Sequence, residues 1–200
     1  MTPQISELIE RIRGLEEELE LELAKKRDEL RFSLEKRKAL FEKEVLLQHR
    51  KIKTSLLHYI LHAKPRHTLT APIIYPIVFP LLLLDACVFL YQFICFPIYG
   101  IPKVRRSDYL IFDHQDLAYL NLLEKINCAY CSYANGLMSY IKEVVARTEQ
   151  YWCPIKHARR ILQAHSRYSR FTDYGDGNAY RNELKSIRCD FGGDEKEEKQ

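Results

Sequence analysis

Two hundred residues suggest one or two domains. A formal net charge of +4 falls short of the basic stripe that a nucleic-acid binder carries, so no nucleic-acid partner is expected. Six cysteines in 200 residues are too few for a disulfide scaffold and point to reduced thiols.

The average composition, 46% hydrophobic and 29% charged, conceals a division. Charge is abundant before residue 66 and after residue 102, and nearly absent between them. The first residues, MTPQISELIERIRG, hold no apolar core of a cleavable secretory signal. P-loop, dinucleotide, GxSxG and HExxH motifs are missing, which removes the common catalytic signatures. No catalytic residue is singled out.

Residues 1–64 read as a coiled-coil stalk. Positions 4 to 62 contain no proline, and Gly14 is their one glycine. Ile5, Leu8, Ile12, Leu15 and Leu19 follow the 3-4 alternation of an a/d seam. Leu23, Leu30, Leu34, Phe41 and Val45 continue it after a stutter. One helix over this stretch would run about 85 Å. Its narrow apolar stripe predicts self-association or another helical partner.

Residues 65–102 read as a membrane segment. From Ala71 to Pro102 the only charge is Asp85, and the stretch exceeds the roughly 20 residues that cross a hydrocarbon core. Tyr75, Tyr91 and Tyr99 suit an interfacial aromatic belt. Prolines 72, 76 and 80 punctuate the first half, leaving Leu81–Pro97 as the best continuous helix. Lys51, Lys53, Lys64 and Arg66 precede the segment, and Lys103, Arg105 and Arg106 follow it. These balanced flanks give no orientation, so a single span and a re-entrant or shallow insertion both stay open. Asp85 costs about 3 kcal/mol in lipid. It therefore needs a function, a partner helix or a place near the interface.

Residues 103–171 read as a small helical domain bearing cysteine and histidine, and residues 172–200 as a disordered tail. Helices are expected at Asp116–Ile126, Leu137–Trp152 and from Pro154 to about Tyr168, with a turn at NCAYCSYANG. Cys128 and Cys131 form a C-x2-C, and Cys153 with His157 a C-x3-H. Together these four resemble ligands of a zinc ion or an iron–sulfur cluster. A metal would supply stability that a core of about 70 residues lacks. The second helix, about 24 Å long, separates the two halves. Three alternatives therefore remain: a cluster of His114, Cys153 and His157 with Asp113, a redox-active Cys128–Cys131 pair, or inert buried thiols.

The strings YGIPKVRRSDY, NCAYCSYANG and RTEQYWCPIKHARR, between about Tyr99 and Arg160, resemble a family of uncharacterised bacterial membrane-associated proteins. The resemblance implies a bacterial inner-membrane setting and assigns no role to any residue. The resulting expectation is an all-α, membrane-anchored protein with a coiled-coil stalk, an apolar anchor in the lipid bilayer and a cytoplasmic Cys/His domain. A membrane-bound redox component and a metal-free coiled-coil scaffold are the alternatives.

Overall fold

A computed structural model describes residues 3–30, 32–35, 38–62 and 64–191. The described chain is helical apart from one two-stranded hairpin, as the all-α reading expected. Two compact units form, one from residues 1–63 with 113–129, the other from 64–112 with 130–200.

In the first unit, helix α1 covers Pro3–Glu29. The helix expected to reach residue 62 stops there. Strands β1 (Phe32–Glu35) and β2 (Lys38–Phe41) pair antiparallel, with Phe32 opposite Phe41 and Glu35 opposite Lys38. Phe-Ser-Leu-Glu alternates at period two, a strand pattern that the long apolar repeat had absorbed into a helix. Two short helices follow, α2 (Lys43–Lys51) and α3 (Leu56–Leu61). The Ser55 hydroxyl accepts from the His58 backbone N–H at 3.2 Å and so caps α3. The expected stripe positions Ile12, Leu15, Leu19 and Leu23 on α1 are all exposed.

The second unit is built on two helices. α4 (Pro65–Ile74) leads through a 3-10 turn, Tyr75–Ile77, into α5 (Val78–Tyr99). Gly100 ends α5 in the left-handed region at φ 69°, and the Ile101 N–H reaches back to the Phe96 carbonyl at 2.9 Å. α6 (Leu122–Trp152) is one helix of 31 residues. Its start is a reciprocal cap. Asn121 Oδ1 accepts from the Glu124 N–H at 3.0 Å, while Glu124 Oε2 accepts from the Asn121 N–H at 2.8 Å. The turn expected at NCAYCSYANG does not form, and the chain stays helical through Asn135-Gly136. Gly136 is there for closeness: a Cβ at that position would collide with the Tyr109 carbonyl oxygen and crowd Leu110.

α5 and α6 run parallel, since Asp85 meets Tyr133, Gln92 meets Tyr140 and Tyr99 stacks on Tyr151. Between them lies the core of the unit, with Phe96, Leu137, Tyr140 and Val144 from the helices and Ile101, Val104 and Phe191 around them.

Two expectations beyond α6 also need correction. The α-helix expected from Pro154 to about Tyr168 does not form, and a 3-10 turn at Ser166–Arg170 is the helical part of that stretch. Ile155 bridges Thr172, whose N–H and hydroxyl both donate to the Pro154 carbonyl at 3.0 Å, and Gln163 takes φ 57°, which a helix does not allow. Tertiary pairing overrides local propensity there. The stretch expected to be disordered from residue 172 instead contains α7, Gly177–Cys189. Asp176 caps it, accepting from the Ala179 N–H at 2.8 Å. The expectation for residues 192–200 lies outside the described residues.

Candidate membrane-binding site

The helical stretch Leu69–Tyr99, 31 residues, is long and apolar enough to cross a membrane. On α5 a narrow seam is covered: Leu81, Asp85, Val88, Gln92, Phe96 and Tyr99 recur at three- and four-residue steps and are buried or half-buried. The rest of its circumference is apolar and open, with Phe79 69%, Leu83 68% and Ile98 73% exposed. A continuous apolar face of this size marks a membrane or protein interaction site.

The polar residues of α5 all turn inward. Asp85 is 5% exposed. Its Oδ2 is paired with the Arg106 guanidinium and accepts from the Tyr133 hydroxyl at 2.8 Å. Burial, reinforced by that hydrogen bond and by the carboxylate's charge, pushes the Tyr133 phenol up to about 12. Gln92, two turns on, donates to the Val104 carbonyl at 3.2 Å and the Tyr140 hydroxyl at 3.1 Å. Its Oε1 accepts from the Val104 N–H at 2.8 Å. Thus the costly acid flagged in the sequence is partnered, and no ionised or amide group of α5 points outward. Sequence reasoning missed Arg106 and Tyr133 as its partners. A heptad-like spacing from Asp85 to Gln92 was the available signal.

A second buried polar cluster fastens the C-terminal segments to α6. Glu143 Oε1 accepts from Arg147 Nε at 2.8 Å and Arg167 Nε at 2.9 Å. Arg167 also donates to Gln150 Oε1 at 2.9 Å, and Arg147 to the Pro102 carbonyl at 2.9 Å. Gln150 in turn donates to the carbonyls of Ile187 and Asp190. Burial lowers the Arg167 guanidinium from its ordinary value, with Glu143 opposing the shift. Nearby, an open cleft of about 830 Å³ lies between the end of α5 and α7, lined by Tyr99, Tyr151, Lys185, Arg188 and Phe191 among others.

The sequence-predicted metal ligands are not gathered. Among the described residues no three His, Cys, Asp or Glu side chains come together as a metal site. Cys131 lies mid-helix and Cys153 just beyond the end of the same helix, about 33 Å away at 1.5 Å per residue. Cys128 and Cys131 thus lie far along the helix from Cys153 and His157 in this structure. Cys153 was expected at a helix start, where the dipole favours a thiolate. It instead follows a C-terminus, its N–H bonded to the Glu149 carbonyl at 2.7 Å. His157 is exposed and lies face to face with Tyr168, ring centroids 6.4 Å apart. Cys128 and Cys131 share one helix, three residues apart on α6. His114 and Asp113 line a small cavity of about 270 Å³ with His49, a neighbour that no spacing in the sequence announced. No protein-family model, curated protein or solved structure matches the chain.

Proposed function

We propose that this chain is a membrane-anchored interaction protein, in which α5 holds it to a lipid bilayer and α1 presents a stripe to a helical partner, first of all a second copy of itself. The open apolar arc of α5 carries this reading, because Asp85 and Gln92 are turned inward, Asp85 paired through Oδ2 and Gln92 through both amide atoms, while every outward residue is apolar or thiol. Ile12, Leu15, Leu19 and Leu23 support the second half, exposed along a helix of 27 residues that cannot cover them alone. Six free thiols suit a reducing, cytoplasmic setting for the part outside the lipid.

Two measurements test it. The protein is expected in the membrane fraction after an alkaline carbonate wash, released only by detergent. In detergent its mass is expected to exceed one chain, and Leu15→Glu with Leu19→Glu is expected to return it to one. Full release by carbonate would remove the anchor. A monomer at every concentration would remove the self-association.

A further inference from the structure

The proposed anchor leaves open how α5 sits in lipid, and the parallel pairing with α6 bears directly on that. The two helices are tied along their whole shared length. Tyr130 donates to the Ile74 carbonyl at 3.1 Å, Tyr133 to Asp85 at 2.8 Å, Gln92 to Tyr140 at 3.1 Å, and Tyr99 stacks on Tyr151. Were α5 upright across a bilayer, residues 130–152 of α6 would be carried through the hydrocarbon beside it. That stretch exposes Asn135, Ser139 and Lys142, and it is wrapped by polar chain. Lys142 donates to the Gln163 carbonyl, Arg147 to the Pro102 carbonyl, and Glu143 holds Arg167. The wrapping segments include irregular backbone over residues 101–105, 109–112 and 153–165, which hydrocarbon does not tolerate when exposed to lipid, and a lysine at mid-depth is costly.

We infer that α5 lies in the plane of the membrane, its outward arc sunk into one leaflet and α6 with its polar wrapping on the aqueous side. This rests on the anchoring reading above and gives it a geometry. An in-plane helix sinks its apolar face about 5–10 Å into the headgroup–acyl boundary. Phe79, Leu83, Leu90 and Ile94 fall within about 60° of one another at 3.6 residues per turn, and all four are exposed. Cations stand at both ends of the stretch: Lys64 and Arg66 before it, Lys103 and Arg105 after it, all exposed. Lys103 Nζ lies 4.7 Å from the centroid of the Phe93 ring. The cation thus rests on an exposed aromatic face of α5, and with Arg105 it supplies positive charge suited to anionic headgroups. Asp85, mid-helix, keeps its partners Arg106 and Tyr133 out of hydrocarbon in this pose.

The test uses the full chain on vesicles of mixed phosphatidylcholine and phosphatidylglycerol. With Trp152, the one tryptophan, replaced in Trp152→Phe, single tryptophans are introduced as Phe79→Trp, Leu83→Trp, Leu90→Trp and Ile94→Trp, all at exposed positions. Quenching by lipids brominated at shallow and deep acyl carbons reads their depth. All four are expected to be quenched best by the same shallow bromine, with no shift along the helix. A shift in the best quencher from shallow towards deep along the roughly 22 Å from Phe79 to Ile94 would mean a span and overturn the in-plane pose while the anchor stands. Flotation without quenching at any of the four would mean that a second copy covers the arc, and would equally overturn it. Failure to float with the vesicles would sink the anchor itself.

Discussion

Asp85 shows how a charge becomes acceptable on a helix that is otherwise apolar. Its carboxylate sits on the covered seam, where Arg106 neutralises it and Tyr133 donates a second hydrogen bond. Removing one partner leaves a buried charge half satisfied, which costs more than the pair contributes. Arg106→Leu is therefore expected to lower stability by about 2–4 kcal/mol, at the low end because Arg106 is partly exposed. Asp85→Asn should cost less, and chemical denaturation in detergent would rank them. Equal costs for the two would argue against a charge-driven effect. Tyr133 carries a pH signature. Its folded-state value of about 12 lies above the ordinary phenol value of about 10, so folding favours the protonated form. That contribution is complete below about pH 10 and fades as pH rises towards 12. Burial raises the Tyr140 phenol as well, so in an alkaline titration followed by phenolate absorbance two tyrosines should lag the rest, and Tyr133→Phe should leave one. Gly136 gives a test of sign. Alanine in an exposed helix gains about 1 kcal/mol over glycine, but here its Cβ meets the Tyr109 carbonyl. Gly136→Ala should instead destabilise by about 1–3 kcal/mol, and a gain would refute the close approach.

At the scale of elements, the apolar stretch was the most legible feature, because thirty residues with one charge leave little choice of solvent. The helix was expected to be continuous from Leu81 to Pro97, and it runs from Val78 to Tyr99. Pro80 falls in the first turn, where its missing N–H costs nothing. The errors elsewhere share one cause. Asn135-Gly136 reads as a break locally, yet the glycine serves packing against Tyr109. Lys156 to Tyr168 has helical composition, yet Arg167 is drawn into the Glu143 and Gln150 cluster and the backbone follows. The stretch after Thr172 looked too polar to fold, but Asp176 caps α7 and Gln150 holds its end. Each contact joins residues far apart in sequence, which a local pattern does not encode. The turn expected between the two cysteine pairs failed for the same reason, since α6 runs straight through it. Limited proteolysis should therefore spare residues 177–189 in the intact chain. Gln150→Ala, which strands Arg167 and frees the Ile187 and Asp190 carbonyls, should open that segment to cleavage and to amide exchange. Equal cleavage in both proteins would mean that Gln150 does not anchor α7.

For the molecule as a whole, the buried polar contacts of the second unit close over long stretches of chain. Asp85 finds Arg106 21 residues on and Tyr133 48 residues on. Gln92 waits 48 residues for Tyr140, and Gln150 another 37 for the Ile187 carbonyl. Chains emerge from synthesis at about 5–20 residues per second, so for several seconds α5 exists as a bare apolar helix with an uncompensated acid at its middle. In that interval it is both most adhesive and least suited to cross a bilayer. Early contact with a lipid surface or a holding chaperone would shelter its outer arc while the downstream residues arrive to close over Asp85. For the anchor proposed above, the parallel course of α5 and α6 implies an order of events in biogenesis, with adhesion first and the polar layer folded afterwards.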